Sequence, residues 1–313
     1  MKRELVEIPL GELMAVGTAH IPDRTNRTAA VVLINAGHVP RNGHGGLAVL
    51  LGNELCQKGW PILRVDLPGL GDSPGPLPER IESFWLALKD GVHAAWVAAV
   101  ASWTKEAFGV ERIIIGGVCG AAVTAVFTAD RFPEAAQSLL LIEPELFTSD
   151  GPPPSGGEDL GSLPPHSRHE RPASSMSRTS SPLLSSLGRL TSSWRWMRLL
   201  SRRRGTSRLL GVVQRTLLNA APNTGRLPDR TNLELVEAWS RVSRRKVPML
   251  ILTANGLLWE SYFLRIRQSI FGHEACNARH ISVDGANHVF SNEAAKTAVL
   301  SSVPRWLEND QSI

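Results

Sequence analysis

The chain has 313 residues, of which 42% are hydrophobic and 20% charged, and it carries a net charge of +5. That length and balance exclude a disordered or fibrous protein and fit one large α/β domain or a domain with an insertion. Three cysteines (Cys56, Cys119, Cys276) are odd in number and lack framework or zinc spacing, so reduced thiols are expected rather than a disulfide scaffold or metal site.

Met1-Lys2-Arg3-Glu4-Leu5 runs straight into alternating strand-like sequence, with no signal-peptide pattern. No apolar run is long enough to span a bilayer, and a cytoplasmic protein is expected. Residues 5–8 and 13–21 read as two strands joined through Gly11. Residues 30–36 form a continuous apolar run, as in a strand covered on both faces. Residues 46–58 read as a helix with Leu47, Leu50, Leu51 and Leu55 inward. A strand over 61–66 breaks at the turn-rich loop Leu67-Pro68-Gly69-Leu70-Gly71-Asp72-Ser73. From Glu79 to Phe108 a helical stripe runs through Phe84, Leu88, Val92, Trp96, Val100 and Trp103. Strand 112–116, helix 120–130 and strand 138–142 follow. Such alternation predicts an α/β fold with a mostly parallel sheet flanked by helices.

The pattern stops after Phe147. Residues 150–182 are rich in Pro, Ser and Gly and too poor in apolar surface to offset the entropy of ordering, so a disordered loop is expected there. Residues 183–245 read as helical and basic. Between Leu187 and Leu218, Arg195, Arg198 and Arg202 share one helical face, with Leu190, Trp194 and Met197 on another. This helix is expected to cap the core. An anionic membrane surface is a weak alternative contact for its arginines, and nucleic acid is not expected as a partner. Strands resume at 247–252 and 279–283, and a last helix, 292–307, is expected to break near Pro304. The division is a core of 1–147 and 246–313, with a cap insertion over 148–245.

The decapeptide Ile113-Ile114-Ile115-Gly116-Gly117-Val118-Cys119-Gly120-Ala121-Ala122 has the layout of a nucleophile elbow, a sharp strand-to-helix turn that lifts one side chain above a sheet. Gly117, Cys119 and Ala121 fill the three fixed places of G-x-S-x-G, which makes the nucleophile a thiol. Helix N–H groups aimed at the sulfur favour the thiolate, and Cys119 is expected to react below the ordinary thiol pKa of about 8.5. The alternative is a buried structural cysteine.

A thiol nucleophile needs a base from another loop at the same sheet edge. His288, in Asp284-Gly285-Ala286-Asn287-His288, follows the last strand and fits that place. His20, His93, His166, His169, His273 and His280 lack such a setting. For an oxyanion hole, one donor is the backbone N–H of Gly120, and the loop Asn35-Ala36-Gly37-His38 supplies the second, His38 by position.

With these motifs in order, the chain resembles the α/β-hydrolases. The matching features are the Gly-x-Cys-x-Ala elbow, Asp66-x-Pro68-Gly69-x-Gly71-x-Ser73, Arg131-Phe132-Pro133 and Gly285-x-x-His288. It is similar in particular to hydrolases associated with exosortase A systems, through Asn35-Ala36-Gly37, the segment from Pro61 to Ser73 and the elbow Cys; that group usually has Ser where this chain has Gly120. The resemblance implies acyl-transfer chemistry on a small-molecule ester or thioester, with no cofactor and no metal.

One feature departs from the family. The usual place of the triad acid, after the seventh strand, falls on Leu257. Glu260 could reach in from a shifted loop, Glu143 or Glu145 could serve from the end of the sixth strand, or Asn255 could orient His288 as a neutral partner. The expected function is therefore an acyl hydrolase using Cys119 and His288, with Glu260 as the acid and Glu143 its alternative. A non-catalytic binding protein on a hydrolase fold and an acyltransferase are the competing readings.

Overall fold

The computed structural model describes residues 1–25, 28–148, 227–228, 230–272 and 277–309. One compact unit comprises Met1–Gly151 and Arg215–Ile313. The second, Pro152–Gln214, lies outside the described residues, as do the loop expected over 150–182 and the arginine-rich helix.

Among the described residues, eight strands form one sheet: β1 (Lys2–Leu10), β2 (Leu13–Ile21), β3 (Ala29–Ile34), β4 (Ile62–Val65), β5 (Arg112–Val118), β6 (Ser138–Ile142), β7 (Met249–Ala254) and β8 (Ala278–Val283). Their spatial order is β1-β2-β4-β3-β5-β6-β7-β8. β1, β2 and β4 pair antiparallel, and from β4 to β8 every pairing is parallel. The opening hairpin turns at Gly11, whose φ of 70° favours glycine. β3, β6 and β7 are buried along their whole length, which is why their sequences are mainly apolar runs rather than alternations, and β4 is buried too, Arg64 included.

Helices cover both faces. α1 (Leu47–Gln57) and α7 (Glu293–Asn309) pack on one, and α2 (Ile81–Lys89), α3 (Ala94–Phe108), α4 (Gly120–Arg131), α5 (Leu233–Arg244) and α6 (Leu258–Phe271) on the other. Among the described residues, no helix is long and apolar enough to cross a membrane.

Four details differ from the sequence reading. The stripe from Glu79 to Phe108 is two helices, broken at Gly91, where φ is 65° and a Cβ would lie 2.4 Å from the Phe127 ring. Arg131 donates to the Asp90 and Gly91 carbonyls and closes the end of α2, which leaves Val92 exposed. Leu50 is exposed as well, so α1 buries only Leu47, Leu51, Leu55 and the neighbouring small residues. The last helix continues through Pro304, with Val303, Trp306 and Leu307 buried on either side and packing against the core cluster. Finally, α5 lies in the span read as basic cap but packs into the core layer through Leu235, Trp239 and Val242. Its Arg241 makes a bidentate pair with Asp130 of α4 at 2.9 and 2.7 Å.

Candidate active site

Cys119 stands between β5 and α4 with φ 57° and ψ −116°, a conformation costly for a residue with a side chain. Its N–H donates to the Ile142 carbonyl at 2.9 Å, and its carbonyl accepts from Ala122 and Val123 in the first turn of α4. A Cβ on Gly117 would lie 2.6 Å from the Ala121 Cβ and 2.8 Å from the Ile34 carbonyl oxygen. The elbow therefore needs small residues at both positions, as its sequence pattern implies.

The Cys119 side chain is nearly buried and its sulfur donates to Glu145 Oε2 at 3.7 Å. Glu145 in turn pairs with Lys89, at the end of α2, at 2.8 Å. Burial first, and the Glu145 charge second, push the Cys119 thiol well above its ordinary value; the N–H of Gly120 pulls the other way. This direction runs against the expectation of a low thiol pKa. Sequence reasoning weighed the helix N-terminus and a histidine but had no way to count desolvation or a carboxylate brought in from β6.

His288 lies on the loop after β8. Asn287 shapes that loop by accepting from the N–H groups of Ser291 and Asn292 at 2.8 and 3.4 Å. The imidazole stacks on Trp259 of α6, with centroids 4.7 Å apart and planes 20° from parallel. Its Nδ1 lies 3.7 Å from Glu143 Oε1. Glu143 is fully buried at the end of β6, with φ 46°, and its Oε2 accepts from Ala254 N–H at 2.7 Å. Burial raises the Glu143 pKa, while the neighbouring His288 and the Ala254 N–H lower it.

Glu260, expected as the acid, has other partners. It accepts from Gly256 N–H at 2.9 Å, from Thr253 Oγ1 at 3.4 Å and from Ser282 Oγ, and so ties α6 to β7 and β8. The carboxylate set against His288 is Glu143. Asn255, the neutral alternative, donates to Asp284.

The β3–α1 loop meets the elbow from the other side. Asn35 accepts from Leu67 N–H at 2.8 Å and donates to the Gly37 carbonyl, fixing the loop to the exit of β4. A Cβ built on Gly120 would lie 3.6 Å from Gly37 Cα, so the loop passes directly over the start of α4. Trp85 of α2 fills the space beside Gly37 and meets the exposed His38 ring edge-on at 5.9 Å. Asp66 braces the same loop by accepting from Arg41 N–H and pairing with its guanidinium. Gly71 must be glycine, since a Cβ would lie 2.1 Å from Asp66 Oδ2. The Asp66–Ser73 loop is thus a brace for the site.

Sequence reasoning missed Lys89, Trp85, Trp259 and His44. His44 lies near enough to His38 and His288 for their charges to lower its pKa, after the larger effect of burial. Lys89 left one signal: it follows Leu88 on the buried side of α2, where a charge is unexpected. Among the described residues, no group of three or more His, Cys, Asp or Glu could hold a metal ion.

Cys119, Glu143 and His288 thus follow β5, β6 and β8 at one edge of a parallel sheet, the arrangement of the α/β-hydrolase fold. Residues 33–168 match the alpha/beta hydrolase fold family. Among solved structures, the chain is similar to dienelactone hydrolase from Anabaena variabilis (14% identity, TM-score 0.54, covering 98% of this chain and 97% of that one). It is also similar to Est1E from Butyrivibrio proteoclasticus with ferulic acid bound (13%, 0.54, 97% and 99%) and to an alpha-beta serine hydrolase homologue from Coxiella burnetii (13%, 0.52, 97% and 97%). No curated protein matches. The chain has the α/β-hydrolase fold.

Proposed function

We propose that this protein hydrolyses a carboxylic ester or thioester by acyl transfer through Cys119. The observation that carries this reading is the gathering of an elbow thiol and a carboxylate-backed imidazole at one sheet edge. Cys119 Sγ attacks the acyl carbonyl while His288 takes the thiol proton, because a thiol of raised pKa needs a base at the moment of attack. The developing oxyanion is held by the Gly120 N–H, with a second donor from the backbone at Gly37–His38. His288 returns the proton to the leaving group, then activates water to release the acid and restore the thiol. Glu143 orients the imidazole and favours its cationic form, the role first given to Glu260. Trp259, stacked on the ring, limits its rotation. A general hydrolase reading is supported by the fold shared with solved structures that include a dienelactone hydrolase.

The test is turnover of short-chain activated esters and thioesters by the native chain, Cys119→Ala and His288→Ala. The proposal expects both variants to lose turnover by about 10³-fold or more. Equal activity in all three would favour a non-catalytic binding protein. Release that depends on an added acceptor would favour an acyltransferase.

A further inference from the structure

The sulfur donates to Glu145 rather than His288, at 3.7 Å. Glu145 is held by Lys89 at 2.8 Å, with side-chain exposures of 15% and 9%. The end of α2 is itself pinned, since the Lys89 carbonyl accepts from Asn232 Nδ2 at 2.8 Å. A buried ion pair is seldom more stabilising than apolar side chains of the same volume. Its position against the nucleophile therefore calls for a chemical account.

We propose that Glu145, fixed by Lys89, competes with His288 for the Cys119 S–H hydrogen bond and stores the nucleophile as a neutral thiol. This deepens the acyl-transfer reading and rests on Cys119 being its nucleophile. A carboxylate beside a thiol disfavours the thiolate. Lys89 Nζ holds Glu145 Oε1 at 2.8 Å, which leaves Oε2 to accept from the sulfur. The titratable groups gathered at this edge are Glu143 and Glu145 after β6, Lys89 on α2, His288 after β8, and His38 and His44 on the β3–α1 loop. In the stored form the proton stays on sulfur and Glu145 accepts the S–H hydrogen bond. Rotation about χ1 carries the S–H to His288, whose ring nitrogen takes the proton. Thiolate and imidazolium result, and Glu145 remains a carboxylate throughout. Glu145 and Lys89 are positioning residues in this scheme.

The test is the pH dependence of iodoacetamide labelling, read by mass spectrometry of the Cys119 peptide, on the full chain. Glu145→Gln keeps the shape and removes the charge, so the labelling midpoint should fall by about one pH unit or more. Lys89→Met should move it upward, because the carboxylate then acts on the sulfur without its counter-charge, and Lys89→Arg should keep the native midpoint. If Glu145→Gln does not fold, the contrast between Lys89→Met and Lys89→Arg decides. Equal midpoints across the folded variants overturn the proposal. Labelling needs no turnover, so failure of the hydrolase reading would show in the ester assays and leave this measurement legible.

Discussion

The elbow makes a quantitative demand on one atom. Gly117→Ala places a methyl 2.6 Å from Ala121 Cβ and 2.8 Å from the Ile34 carbonyl oxygen, at a φ of 155° that side chains rarely adopt. Gly11→Ala at the tip of the opening hairpin has a φ of 70° but nothing within 4 Å of the new carbon. The hairpin variant therefore isolates the backbone cost, about 1 kcal/mol. The elbow variant adds overpacking against β3 and α4, for a total of about 2–5 kcal/mol. With an m-value of about 3 kcal/mol/M, the urea midpoint should fall by about 1 M for Gly117→Ala and about 0.3 M for Gly11→Ala. Equilibrium unfolding followed by circular dichroism measures both. Equal midpoints for the two variants would refute the claim that this strand-to-helix turn is closed too tightly for any side chain.

Two more expectations follow from the buried charges. Glu143→Gln should lower kcat by about 100-fold or more, whereas Glu260→Gln should lower the melting temperature and keep kcat/KM within a few-fold; ester kinetics with thermal melts separate the two carboxylates. His20 is buried and its Nε2 accepts from Arg64 at 2.8 Å; burial, then Arg64 and Arg3, lower its pKa to about 4. The unfolded chain then binds the proton near the ordinary 6.5 and the native state does not, so stability should fall as pH drops from 6.5 towards 4, by up to about 3 kcal/mol. His20→Gln should flatten that slope in denaturation series across pH.

Much of the frame is legible in the sequence because it is written in local chemistry. Apolar runs at β3, β6 and β7 can only be strands covered on both faces, and Gly117, Cys119 and Ala121 write the elbow into five residues. The choice of acid is not local. Glu143 and Glu260 look alike in sequence, and only the meeting of β6 with the loop after β8 gives one to His288, while Thr253, Gly256 and Ser282 occupy the other. The carboxylate beside the thiol is hidden from the sequence for the same reason, since Glu145 and Lys89 come from different elements. The break at Gly91 depends on Phe127, 36 positions along the chain, and no helical stripe records it.

The central claim is that this sulfur carries the acyl group. Mass spectrometry of the protein quenched during turnover of an activated ester tests it directly. The account predicts one acyl adduct on the Cys119 peptide, absent in Cys119→Ala and formed far more slowly in His288→Ala. An adduct on another residue, or undiminished hydrolysis by Cys119→Ala, would contradict it.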